Sequence, residues 1–254
     1  MPELGLLVVL AHPDDESFPI GGTLARYAAE GVRVTLVCAT KGEVGIPGLP
    51  LEIVAGIRER ELRCAASALG VADVRFLGYR DGEVAQVDPE TAVKQLGWIM
   101  VDLQPQVVIT FGPDGISGHP DHVAIHRLTR QAFERAGIPA RLFYIAPSEA
   151  TQQGCGVTPA EGSAGGPVVA IDVGEHLVDK ARAMQCHASQ SPPYHGDPAE
   201  AAAHLACHEY FTLAYPDLDN IAPTDLFESL PSSAGHGLTV NGLTVIRRDS
   251  GFSK

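Results

Sequence analysis

Short apolar runs alternate with longer amphipathic stretches along the chain. Residues 6–10 are wholly apolar, the pattern of a strand buried on both faces of a parallel sheet. Residues 32–39, 74–77, 107–111, 142–146 and 168–173 read as further strands. Between them, residues 21–30, 52–69, 91–103, 121–136 and 175–189 have helical spacing. Gly31, Gly70 and Gly137 stand just past three of these stretches, where a helix turns left-handed and stops. Pro105 follows a fourth. Strands alternating with helices of ten residues or more predict right-handed βαβ units. The expected fold class is α/β: a Rossmann-like three-layer α/β/α sandwich with a mostly parallel sheet.

A chain of 254 residues holds one large domain or two small ones, and no internal repeat divides it. Residues 1–221 are expected to form a single domain, with 191–221 contributing to a substrate pocket. Residues 222–254 read as an extension, either a hairpin turning at Asn241-Gly242 or a mobile tail. The stretch 152–167, rich in Gly, Ser, Ala and Thr, reads as a loop.

Hydrophobic residues are 45% and charged residues 19%, a globular balance and not a disordered one. The net charge of −13 argues against nucleic acid and anionic membrane surfaces, which need Lys and Arg. No apolar run reaches eighteen residues, so no membrane span is expected, and the start of the chain has no basic segment typical of a signal peptide. Five cysteines, an odd number without C-x-x-C spacing, argue against a disulfide framework and a Cys-type zinc site. The reducing cytoplasm is the expected location. Cys38, Cys64 and Trp98 are expected to pack in apolar surroundings.

In an open parallel α/β sheet, ligands sit beyond the carboxyl ends of the strands. Two polar groups fall there: His12-Pro13-Asp14-Asp15-Glu16 after the first strand, and His119-Pro120-Asp121-His122 after the fourth. They share one crevice if those two strands are neighbours. His12, Asp15 and His122 then offer two imidazoles and a carboxylate, the three-ligand pattern of a catalytic divalent metal with a position left for water. Adjacent side chains point apart, so Asp14 is left to accept a proton as general base. His119 faces the same cavity as oxyanion stabiliser or acid, oriented by Asp121. His126 lies one helical turn beyond His122 and reads either as structural or as a support behind the ligands. Either His-Pro-Asp alone is ordinary loop chemistry, with Pro setting the turn and Asp capping a helix. It is the pairing that points to a site.

The segments AHPDDESFPIGGTLA and GHPDHVAIH resemble the LmbE-like, or PIG-L-type, zinc-dependent N-acetylglucosaminyl deacetylase family. TKGEVG at 40–45, Arg58 to Glu61 leading into Leu69-Gly70, Leu77-Gly78 with Asp81-Gly82, and His187-Ala188-Ser189-Gln190 agree in order over residues 5–190. The resemblance implies removal of an acetyl group from a small amino-sugar conjugate, giving acetate and a free amine. It implies zinc, with iron as the other ion, on His12, Asp15 and His122. It implies that Asp14 is the base, that His119 stabilises the oxyanion, and that Arg58, Asp81 and His187 contact substrate. It leaves homo-oligomerisation open. The sugar is expected to carry inositol or malate, as in thiol-cofactor precursors.

Three alternatives stand beside this. An amidase would act on a larger thiol-sugar conjugate. Two His and a carboxylate also form the facial triad of iron oxygenases. A sugar-binding module could hold a structural metal. Phosphate-loop glycine motifs are absent, and the adjacent Cys186 and His187 cannot face each other on a helix.

Overall fold

The structure, a computed structural model, describes residues 4–146, 168–216, 223–228, 239–240 and 243–244. The first half alternates strand and helix: β1 (Gly5–Leu10), α1 (Gly21–Ala29), β2 (Arg33–Cys38), α2 (Leu51–Ala68), β3 (Asp73–Phe76), α3 (Pro89–Leu103), β4 (Val107–Phe111) and α4 (Pro120–Ala136). Then come β5 (Arg141–Ala146), β6 (Val168–Asp172), α5 (Leu177–Cys186), α6 (Pro198–Ala202) and β7 (His208–Tyr215). Seven strands form one sheet in the order β3-β2-β1-β4-β5-β7-β6. Strands β1 to β5 pair in parallel, and β7 lies antiparallel between β5 and β6. Helices α1 and α2 pack with α5, and α3 packs with α4, so two helical groups flank a mostly parallel sheet.

The apolar runs explain the core. β1, β2 and β4 are buried almost throughout, as strands covered on both faces must be. Edge strand β6 alternates exposed and buried residues. Asp88 caps α3 by accepting the Thr91 N–H at 2.9 Å, with Pro89 in the first turn, so this helix starts two residues earlier than its periodicity suggests.

Several expectations are corrected. α5 is shorter than 175–189, because the chain turns out of the helix at His187. Within 191–221, β7 takes a place inside the sheet, where Glu209 is buried against Lys180. Trp98 is 69% exposed and does not pack a helix against the sheet. Cys64 is joined to Cys186 by a disulfide across 122 residues, linking α2 to the end of α5, whereas Cys38 is a buried free thiol. In the C-terminal extension, Thr239–Val240 pairs antiparallel with Leu243–Thr244. The stretch 152–167 lies outside the described residues.

Candidate active site

The neighbouring strands β1 and β4 release their chains side by side at the point where strand order reverses. After β1, the Thr40 hydroxyl and N–H both bond the Ala11 carbonyl at 3.0 Å and fix the start of the His12 loop. After β4, Gly115 takes a left-handed φ of 65° and turns its carbonyl toward His122. A side chain at Gly115 would strike the His122 Cβ. The Phe111 ring stacks on the His122 imidazole at 4.1 Å.

Three donors converge. His12 Nδ1 lies 3.1 Å from His122 Nε2, Asp15 Oδ1 is 3.3 Å from His122 Nε2, and Asp15 Oδ2 is 3.7 Å from His12 Nδ1. Ligands at ordinary Zn–N and Zn–O lengths of roughly 2.0–2.2 Å in a tetrahedron stand about this far apart. The outer nitrogens are engaged. His122 Nδ1 donates to the Gly115 carbonyl at 3.0 Å, leaving a lone pair on Nε2. His12 Nε2 donates to Asp81 Oδ1 at 3.1 Å and Asp121 Oδ2 at 3.2 Å. Asp15 is steadied by the His12 N–H at 2.7 Å. The residues therefore fit a divalent cation between the two inward nitrogens. Without one, a proton on His12 Nδ1 bridges them. Burial opposes the His12 cation, but Asp81, Asp15 and Asp121 outweigh it and hold its pKa up at about 9. Burial drops His122 to about 4 and raises Asp15 to about 6, the latter against the pull of His12.

Asp14 borders the same cavity, which measures about 570 Å³. Burial, then the Asp15 charge, pushes its carboxyl up to about 7 against the Arg58 guanidinium. Arg58 is buried on α2, donates to Asp14 Oδ2 at 2.9 Å and to the Gly42 carbonyl at 3.1 Å, and also bonds the Pro13 carbonyl. Arg58 and Asp81 both reach the cavity wall, yet each is spent largely on holding the site. His119 is exposed and caps α4: its Nδ1 accepts the Asp121 N–H at 3.2 Å, so the proton sits on Nε2. Burial, then the neighbouring His12 and His122, lowers its pKa, so it is a neutral donor near pH 7.

Two sequence assignments change. The Asp121 carboxylate does not orient His119. It accepts the Gly82 and Val84 N–H groups at 2.7 and 3.1 Å and faces His12. His187 does not contact the cavity. It is 0% exposed, with Nε2 2.6 Å from Glu16 Oε1. His126 is structural, bonded to the Phe111 carbonyl at 2.9 Å. Gln190, at the end of the segment that begins with His187, also lines the cavity, as does Glu83, which the sequence did not single out. Glu43 braces the wall, accepting the Asp81 N–H at 3.0 Å while its other oxygen is buried without a partner among the described residues. The TKGEVG segment was the available signal for Glu43.

Residues 7–133 match the family described as PIG-L, GlcNAc-PI de-N-acetylase. A 1D-myo-inositol 2-acetamido-2-deoxy-alpha-D-glucopyranoside deacetylase of Salinispora arenicola is 32% identical, covering 96% of this chain and 97% of its own. The chain belongs to the PIG-L family. A relative of the same name from Actinosynnema mirum is 40% identical over 73% of this chain and 80% of its own. Among solved PIG-L-like structures, N,N'-diacetylchitobiose deacetylase from Pyrococcus horikoshii superposes with a TM-score of 0.60. It covers 82% of this chain and 83% of its own at 24% identity, a likeness of fold. Among the described residues, no helix is long and apolar enough to cross a membrane.

Proposed function

We propose that this chain is a metal-dependent amide hydrolase. It removes the acetyl group from an N-acetylglucosaminyl conjugate, GlcNAc-inositol being the favoured substrate, and releases acetate and the free amine. The observation that carries the chemistry is the convergence of His12, Asp15 and His122 beside Asp14 in an open cavity. The substrate is supported by the names of the inositol-conjugate deacetylases that resemble the chain along its length.

Two imidazoles and a carboxylate suit zinc, and iron(II) takes the same set. Bound there, the ion supplies Lewis acidity toward the amide carbonyl and acidifies water. Asp14 accepts the proton of the attacking water, and its raised pKa of about 7 suits a base working near neutrality. Arg58 holds Oδ2 of Asp14 and leaves Oδ1 for that proton. His119 turns its Nε2–H toward the cavity and hydrogen-bonds the oxygen that gains charge as water adds to the amide. Because His119 is neutral, Asp14 carries the proton back to the departing nitrogen. Arg58 and Asp81 meet the sugar hydroxyls at the cavity edge.

The proposed location is the cytoplasm. The Cys64–Cys186 disulfide argues against it, and counting free thiols in cytoplasmic protein decides between the two. Homo-oligomerisation, suggested by the family resemblance, is read by light scattering. The activity is tested by acetate release from GlcNAc-inositol, GlcNAc-malate and bulkier thiol-sugar conjugates. Turnover of the inositol conjugate supports the proposal. Turnover of the bulky conjugates alone selects the amidase alternative, and binding of sugar without acetate release selects the non-catalytic one.

A further inference from the structure

Asp14 has a φ of 114°. That region is nearly reserved for glycine, and a residue with a side chain persists there only when its surroundings hold it. The restraint comes from two directions. Arg58 of α2 takes the side chain. The fully buried carboxylate of Glu16 takes the backbone, accepting the Asp14 N–H on Oε2 at 3.0 Å. Its Oε1 accepts the Ser17 hydroxyl at 2.5 Å and His187 Nε2 at 2.6 Å.

His187 arrives from 171 residues away and touches no part of the cavity. Among the described residues its Nδ1 is buried without a partner, so the directed bond its ring makes there is the one to Glu16. The segment around it is anchored on α2, the helix that bears Arg58. Cys186 is joined to Cys64, and the Ser189 N–H and hydroxyl bond Glu61 at 2.8 and 2.6 Å. One helix thus references both restraints on Asp14.

Building on the hydrolytic reading above, with Asp14 as base, we propose that Glu16 and His187 are positioning residues that set the Asp14 backbone and thereby aim its carboxylate. They act through Asp14 and touch neither substrate nor metal. A small displacement of a reacting group costs on the order of 10²-fold in rate, so a bond two steps from the chemistry is felt in kcat.

The test is a cycle of His187→Ala and Asp14→Asn in the metal-loaded enzyme, read by acetate release from GlcNAc-inositol well below the unfolding temperature. His187→Ala is expected to lower kcat by about 10–100-fold, with KM and metal per chain unchanged. His187→Gln, whose amide N–H replaces Nε2–H, is expected to recover most of the loss. In the Asp14→Asn background, His187→Ala is expected to cost nothing further, because its effect passes through the Asp14 carboxylate. Should His187→Ala not fold, the isosteric Glu16→Gln takes its place in the same cycle. Full kcat in the single variant, loss of metal, or an undiminished effect in the Asp14→Asn background overturns the proposal, since a purely structural role would persist there. Full kcat in Asp14→Asn itself removes Asp14 as the base and the proposal with it, whereas absence of acetate release from the unmodified enzyme overturns the hydrolytic reading instead.

Discussion

His119 and His122 stand three residues apart and do different work. His122 spends its outer nitrogen on the Gly115 carbonyl and turns the other inward, while His119 spends Nδ1 capping α4. His122→Ala is therefore expected to lose metal, whereas His119→Ala keeps it and loses turnover. Metal content per chain measured on both variants checks this, and equal loss contradicts it. The proton on His12 competes with the ion for Nδ1. With the His12 pKa raised to about 9, metal affinity should rise by about tenfold per pH unit between Asp15 at about 6 and that value, and more steeply below it. Titration with zinc at several pH values reads the slope, and a flat response contradicts the bridging proton. The convergence of His12, Asp15 and His122 was legible in the sequence because both motifs are compact and carry residue types that suit a cation. The partners of Asp121 and His187 were not, because each is supplied by a distant segment: Gly82 and Val84 for one, Glu16 for the other.

The elements that carry these side chains are held by contacts of similar reach. Glu209 on β7 accepts the Gly22 and Thr23 N–H groups at 3.0 and 2.7 Å and the Lys180 ammonium at 2.6 Å. It thereby joins α1 and α5 to the sheet. Glu209→Ala would leave the buried Lys180 charge and two N–H groups unpaired, so a loss of roughly 3–5 kcal/mol is expected in urea unfolding. A loss under about 1 kcal/mol, the level of an exposed pair, contradicts the buried cap. The same residue explains why β7 escaped the sequence analysis. A carboxylate at a buried position breaks the apolar pattern, and only Lys180 from another element makes it tolerable. β1, β2 and β4 carry no such interruption at their centres and were legible as apolar runs.

At the scale of the molecule, the alternation of strand and helix sufficed for the α/β class, whereas the adjacency of β1 and β4, on which the site depends, stood in the sequence only as a condition and comes from the strand order. It did not reveal the Cys64–Cys186 link, since the pairing depends on how α2 packs against α5. Closing a loop of 122 residues is worth about 4–5 kcal/mol in chain entropy. A reducing agent should lower the melting temperature of the oxidised protein, and an unchanged melt contradicts a stabilising bridge. The central claim is that His12, Asp15 and His122 hold one cation while Asp14, outside that set, moves the proton. Asp14→Asn tests it most directly, with metal content and acetate release measured on the same sample. The account predicts one metal ion per chain and a kcat lower by roughly 10²–10⁴-fold. Full turnover, or a variant that no longer holds metal, would contradict it.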